Sequence, residues 1–242
     1  MDDINIYQVY YQEDQKAQLF SDTIPYFNNK LTTIFENQVL LDLYRQGKIH
    51  GAYFGLLSWK TKQKNRLSFN SIKPRLDPKF NFISVTYDRH DVLGYAEKCH
   101  PGFTMIFKKL LQYIEVDQDI RPLAGIYQNG VITKPSVYVD YIEKFLLPAL
   151  EFFEQCEAEI KEKLFSDTRY QRVNQSISLE TFGTNFYPFH TFLLERLWSV
   201  YFHLNREKKF NYNFLVDRWI RTYSPNKVEP KGQLFKFNLE LN

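Results

Sequence analysis

Cysteine is nearly missing from this chain, with two in 242 residues. Cys99 and Cys156 lie far apart and neither has a CxxC partner, which excludes a disulfide framework and a metal–thiolate cluster and fits a reducing compartment. Nine glycines and ten prolines are too few for a glycine-rich loop protein. Charge of one sign is lacking too. The net charge is +3 and dispersed, too little for a nucleic-acid track, so no nucleic acid is expected as a partner. No apolar run reaches the length that spans a bilayer, and the longest, FLLPALEFF, is broken by Pro148 and Glu151. The first residues, MDDINIYQVYYQED, are acidic and carry neither the basic n-region nor the apolar h-region of a signal peptide. These absences lead to the expectation of a cytoplasmic protein, peripheral at most at the inner membrane face.

Aromatic residues are plentiful, with 22 Phe and 17 Tyr, so the chain is globular with a large core. Ile4–Tyr11 alternates apolar and polar residues as a strand does. Thr33-Ile-Phe-Glu36 has the form of a capping box, with Ile34, Phe35, Val39, Leu40 and Leu43 making an apolar face and Gly47 standing where a helix ends. Ala52–Trp59 is a continuous apolar run, as in a strand covered on both faces. Asn81–Tyr87 is a further strand, closing on Asp88-Arg-His-Asp91. Pro101–Ile114 is a helix with Phe103, Phe107, Leu110, Leu111 and Ile114 inward. Ala124–Thr133 is a strand or a hairpin turning at Asn129-Gly130. A long helix from about Ser136 to Lys163 is expected to kink at Pro148. Ser166–Tyr187 is polar loop, and Gln233–Leu241 a possible last strand.

This order predicts an α/β protein with a mostly parallel central sheet flanked by helices. With no repeat, low-complexity tract or linker, one domain over residues 1–205 is expected. The basic-aromatic segment 206–242 would be an extension packed on it.

The segment Phe189–Asn205, FHTFLLERLWSVYFHLN, is the most telling. Leu193, Leu197, Val200, Tyr201 and Leu204 follow helical spacing and form one buried stripe, while Trp198 and Phe202 lie on another face beside Glu195. Adjacent helical residues point about 100° apart, so Glu195 and Arg196 are not expected simply to neutralise one another. A charge in such surroundings needs a partner. That partner is a ligand, a backbone group or another side chain, with Glu143 and Asp140 candidates for Arg196.

Four pieces carry a resemblance to the small glycosyltransferases of bacterial capsule and lipopolysaccharide loci, of the GT-A, nucleotide-sugar-dependent kind. Glu36–Trp59 resembles a helix beginning near a Glu that precedes a strand ending Tyr-x-Gly-x-x-(Ser/His), here Tyr53-Phe-Gly55-Leu-Leu-Ser58. His100-Pro-Gly102 opens a helix. Tyr127-Gln-Asn129 leads to a helix with Tyr138-Val-Asp-Tyr141, and Leu194-Glu195-Arg196-Leu197 is similar to the Glu-Arg-Leu of those enzymes' penultimate helix. Together they cover roughly Ile4–Asn205. The family's Asp-x-Asp metal motif is absent, and Asp88-Arg-His-Asp91 stands at a comparable strand end.

The resemblance implies a single GT-A-like domain. It also implies transfer from a nucleotide-sugar donor to a growing surface polysaccharide or lipid-linked glycan. The chemistry asks for a base for the acceptor hydroxyl, charge for the leaving diphosphate and polar groups for the sugar. Glu195 is the leading base and Asp91 the second. Asp88 and Asp91 are candidate ligands for Mg²⁺ or Mn²⁺, although an Asp at a strand end also forms turns. Without a metal, the cations Lys60, Lys62, Lys64 and Arg66, or Arg89 and His90, are left for the diphosphate. Lys60 is favoured because it follows the buried strand directly, and Ser58 ends that strand. Arg196 offers bidentate phosphate binding. Asn129 is near a sugar in the resembling enzymes, or is simply a turn. His100 meets an anion at a helix start or caps the helix, and Glu36 is a capping residue first and a site residue second. Tyr7 and Gln8 are expected near the nucleotide base, with Tyr10 or Trp59 as stacking faces. Two other classes remain open: a non-catalytic carbohydrate-binding or assembly protein on the same fold, and a nuclease using Asp88, Asp91 and Glu195.

Overall fold

The computed structural model describes residues 3–30, 32–65, 67–76, 80–86, 88–127, 129–168, 179, 183–206 and 210–215. The side chains of Arg75, Asp88, Arg89 and Asn213 lie outside that description. Six strands form the main sheet, in the order β2 (Ile24–Phe27), β1 (Ile4–Tyr10), β3 (Tyr53–Ser58), β7 (Val131–Thr133), β4 (Phe82–Ser84) and β8 (Tyr212–Phe214). β5 (Asp88–Arg89) and β6 (Ala124–Gly125) make a separate antiparallel pair. The helices are α1 (Glu36–Arg45), α2 (Thr61–Asn65), α3 (Phe69–Ile72), α4 (Val92–Cys99), α5 (Phe103–Tyr113), α6 (Pro135–Tyr141), α7 (Leu147–Gln155), α8 (Ala158–Phe165) and α9 (Phe189–Asn205).

The class is α/β, as the sequence predicts, but the sheet is mixed and not mostly parallel. β1 pairs in parallel with β2 and β3, and β8 pairs in parallel with β4. β7 runs antiparallel to both β3 and β4 and separates them. The Ala52–Trp59 and Asn81–Tyr87 segments therefore share the sheet without being neighbours. A three-residue strand carries too little pattern to announce itself, and the expected hairpin over Ala124–Thr133 is instead two short strands in different sheets.

Both faces of the sheet are covered, so its strands lose the in–out alternation of a half-exposed sheet. Every residue of β3 is buried. Tyr7, Val9, Phe54, Leu56, Phe82 and Val131 point into the larger core under α4–α9. Ile6, Tyr53, Leu57, Ile83 and Ile132 point to the smaller one with Phe20, Phe69 and Ile72. The two sets alternate along each strand as the pleat demands.

Helix ends show where local chemistry was overridden. α1 stops as expected: Gly47, at φ 65°, gives its N–H to Tyr44 O, and Lys48 gives its own to Leu43 O, the Schellman pattern. Its start is a correction. The residue before the helix is Phe35, no side chain caps it, and the Thr33 hydroxyl goes to His190 Nε2 at 2.9 Å. The long helix of Ser136–Lys163 is also divided. Pro148 has no N–H to offer, and the helix opens into a π segment, Ile142–Leu146, immediately before it. The helix then ends at Cys156, whose ψ of 162° is extended. α9 spans the expected residues, yet Leu204 is exposed rather than buried, because the helix's last residues, 203–205, all reach solvent.

Phe210 packs in the larger core and β8 adds an edge strand, so the described part of the C-terminal extension belongs to the same body. The expected strand Gln233–Leu241 lies outside the described residues, as does most of the loop Ser166–Tyr187. Among the described residues no helix is long and apolar enough to cross a membrane.

Candidate functional site

The charges of α9 resolve differently from the helical-wheel expectation. Arg196 Nη1 donates to Glu195 Oε2 at 2.6 Å and to Phe192 O at 3.2 Å. The 100° between the two Cβ directions is spanned by two long side chains curling over the same turn. Glu143 and Asp140 are engaged elsewhere, by the hydroxyls of Tyr44 and Tyr201. The Arg196 side chain is 6% exposed, against 32% for Glu195. Its guanidinium carbon lies 5.2, 5.7 and 5.8 Å from the ring centres of Tyr127, Phe103 and Phe192, an aromatic collar that favours a cation. Arg196 Nε has no hydrogen-bond acceptor among the described residues.

Two histidines feel that guanidinium. His100 is 4% exposed with its ring 3.9 Å from Phe192; burial first, and Arg196 second, hold its pKa down at about 4. Burial, then Arg196, likewise depresses His90, whose Nε2 pairs with the Tyr127 hydroxyl at 2.8 Å. A third imidazole, His190, is lowered by burial. Its Nδ1 lies 3.0 Å from Leu164 O, an acceptor, so Nδ1 donates and the neutral Nε2 accepts from the Thr33 hydroxyl. All three fold with fewer protons than the unfolded chain binds. Their stabilising contribution is therefore present above about pH 6.5, the ordinary histidine value, and is lost as pH falls toward their depressed values. Urea midpoints should drop between pH 7 and pH 5 as the unfolding free energy falls by up to about 1.4 kcal/mol per pH unit for each fully shifted histidine. A midpoint flat over that range would mean these imidazoles are solvated.

A second group gathers beyond the carboxyl ends of β1 and β3. Glu36, the first residue of α1, is only partly exposed. Burial raises its carboxyl pKa, against the pull of its own amide, the Ser58 hydroxyl and Lys64, and Glu195 adds to the rise. Tyr11 lies just past β1, and burial first, then the Glu36 charge, pushes its phenol well up. Phe35 holds φ 50° and ψ −127°, a conformation that costs a non-glycine residue about 1–3 kcal/mol. The segment before it is gripped from α9, where Thr191 donates to Thr33 O at 3.1 Å, and the Phe35 ring lies 5.4 Å from that of Tyr187.

Asn129 joins the two groups. At φ 51° it makes the tight turn into β7, its Oδ1 accepts from Trp198 Nε1 at 3.1 Å, and its Nδ2 donates to Asn37 Oδ1 at 3.3 Å. Turn and site readings thus meet in one residue that ties α1 to α9. Next to it, a Cβ on Gly130 would come within 2.9 Å of the Val85 side chain, so a larger residue there would have to push Val85 aside.

The other expected site residues are dispersed. Ser58 is buried beside Glu36 and accepts from Lys60 N, and the Lys60 ammonium sits 4.9 Å over the Trp59 ring. Tyr7 is buried in mid-strand against Tyr26 and Phe54. Gln8, fully buried, donates to Ser58 O and accepts from Phe20 N and Thr23. Neither is at the mouth where the sequence puts it, because β1 runs three residues past Tyr7. Asp91 is exposed and caps α4 by accepting from Gly94 N at 3.0 Å. His100 ends α4, and the start of α5 is closed by Glu97, whose two oxygens accept from Gly102 N and Thr104 N. Asp88 pairs with Gly125 through its backbone, its side chain lying outside the described residues together with Arg66. Among the described residues no three His, Cys, Asp or Glu side chains assemble a metal site.

No family model, curated protein or solved structure matches the chain. The geometry adds Asn37, bonded to Asn129, to the residues singled out by sequence, and Tyr11 and Glu36 feel one another's charge. One signal pointed there, the Glu at the head of a helix preceding the buried strand.

Proposed function

We propose that this chain is a glycosyltransferase of the GT-A, nucleotide-sugar-dependent kind, moving a sugar to a growing surface polysaccharide or a lipid-linked glycan. The observation that carries this reading is the corner beyond β1 and β3, where Glu36, Tyr11, Ser58, Lys64 and the Glu195–Arg196 pair act on one another. Open α/β sheets bind ligands beyond the carboxyl ends of their strands, and the layered α/β architecture supports this arrangement. Sugar transfer needs carboxylates to hold and deprotonate hydroxyls, and cations for the leaving diphosphate. Lys60, Lys64 and Arg196 supply the positive charge. Trp59, with the Lys60 ammonium above it, offers a face for a base or a sugar. Mg²⁺ or Mn²⁺ at Asp88 and Asp91 belongs to the same proposal, as does work at the cytoplasmic face of a membrane.

A non-catalytic carbohydrate-binding protein is the second reading. Its support is that Asp91 caps a helix and Glu195 is tied to Arg196, so both expected bases have structural partners.

Titration with UDP-, GDP- and CMP-linked sugars, with and without Mn²⁺, tests both. Saturable binding is expected, weakened about tenfold or more in Lys60→Ala, since one charge-assisted contact is worth about 1.5–3 kcal/mol. Saturation without any release of nucleotide favours the binding protein. Failure of every donor to bind ends both readings as stated.

A further inference from the structure

We propose that the guanidinium of Arg196, inside its aromatic collar, is the seat for a singly charged oxyanion that offers two oxygens to one edge, a phosphate diester or a carboxylate. The seat is argued from α9 and its neighbours alone, so it stands whether or not the chain moves sugars. Both hydrogen bonds that Arg196 makes among the described residues pass through Nη1, to Glu195 Oε2 and Phe192 O. The opposite edge is formed by Nε and Nη2, and Nε is buried with no acceptor among the described residues. That edge is the planar fork that matches paired oxygens. A charged N–H taken out of water without an acceptor is costly. The rings of Tyr127, Phe103 and Phe192 favour the cation, but a ring face returns less than a charge-assisted bond to oxygen.

The wall beside the fork is fixed. Thr86 Oγ1 accepts from Tyr127 N at 3.2 Å and donates to Tyr127 O at 2.8 Å. The Tyr127 ring lies where a Cβ on Gly125 would come within 2.7 Å of it, so the missing side chain lets the ring settle over that backbone. The Tyr127 hydroxyl pairs with His90 Nε2 at 2.8 Å, and His90 meets the Tyr95 ring edge-on at 5.0 Å. A wall held on three sides is in place before a ligand arrives, which lowers what binding costs. Tyr95 is exposed, and His90, Tyr127 and Glu195 each reach solvent in part. The approach to Arg196 therefore lies where α4, β6 and α9 meet.

Charge sets the class of the occupant. Glu195 already places one carboxylate 2.6 Å from Nη1. His90 and His100 add no positive charge at neutral pH, because burial first, and Arg196 second, hold their pKa values down. An occupant thus brings a second negative charge to a single guanidinium. One charge is favoured there over the two of a phosphate monoester. Phosphate diesters and carboxylates both meet that condition with paired oxygens.

The test follows the Nε–H resonance of Arg196, assigned through its backbone in the full-length protein. Dimethyl phosphate, glucuronate and inorganic phosphate are titrated at pH 8, with sodium chloride keeping the ionic strength constant. A saturable shift of that resonance is expected with dimethyl phosphate or with glucuronate. Affinity should fall about tenfold or more in Arg196→Lys, which keeps the charge and removes the fork. A response to dimethyl phosphate alone names phosphate as the source, and a response to glucuronate alone names the carboxylate. Inorganic phosphate, doubly charged at this pH, should bind more weakly, and tighter binding than both probes overturns the single-charge assignment. An Nε–H that stays fixed through all three titrations overturns the seat and leaves Arg196 a structural cation, and this readout holds even if Arg196→Lys does not fold. An Arg196→Lys protein that binds as wild type does overturns it as well.

Discussion

Glu195→Gln should lose up to about 3–5 kcal/mol of stability, the usual consequence of leaving a buried charge without its counter-ion. For a chain of this size that is a fall of roughly 10 °C in melting temperature. The reason lies in the asymmetry of the pair. Arg196 is buried in its aromatic collar and Glu195 is the half-exposed member, so removing the carboxylate strands the more buried charge. A Glu195→Gln, Arg196→Met double variant should recover much of the loss, because a neutral pair of similar volume has no charge to desolvate. Thermal melts of the two variants, with nucleotide release measured alongside, decide the matter. A fully stable Glu195→Gln protein with release down 10²-fold or more would instead support Glu195 as the base.

The other large effect belongs to Trp198. It is 1% exposed, stacks on Tyr141 at 3.7 Å between ring centres and meets Tyr138 and Tyr201 edge-on. Trp198→Ala should cost about 3–5 kcal/mol by urea unfolding, the range for emptying a large aromatic site. Trp198→Phe keeps most of that packing and removes the donor to Asn129, leaving a buried amide oxygen unsatisfied at a cost of about 1–3 kcal/mol. It should also loosen the bond from Asn129 to Asn37, beside Glu36, and so weaken donor binding. A Phe variant that bound every donor as wild type does would show that Asn129 acts in the turn alone.

Much of this was legible in the residues. α9 occupies the span its apolar spacing marks, β1 and β3 emerge from the runs that suggest them, and Gly47 ends α1 as its φ requires. What misled were short-range rules defeated by distant partners. Thr33 has the spacing of a capping residue, but His190, 157 positions away, claims its hydroxyl. Glu195 and Arg196 diverge on a helical wheel, yet side chains of that length bend to meet. β7 is too short to show a period, and its insertion against the direction of β3 and β4 follows from long-range pairing. Asp91 drew attention because it ends a strand-like segment, although a residue three before a glycine amide is equally placed to cap a helix. Glu36 illustrates the converse. A single carboxylate at a helix start is commonplace in sequence, and Tyr11, Ser58 and Lys64 give it its setting only after the chain has folded.

Along α9, contacts to separate parts of the molecule are strung like marks on a ruler: His190 to Thr33 and Leu164, Arg196 to Glu195 and its collar, Trp198 to Asn129, Ser199 to Ile126 and Tyr201 to Asp140. From the first mark to the last the helix rises about 16 Å. One residue added or removed within that span would turn everything beyond it by about 100°, presenting the collar's arginine to the sheet or the tryptophan to solvent. Substitution can adjust any mark singly, but a change of length shifts every later one at once. Over these three turns the fold therefore tolerates replacement far better than insertion or deletion.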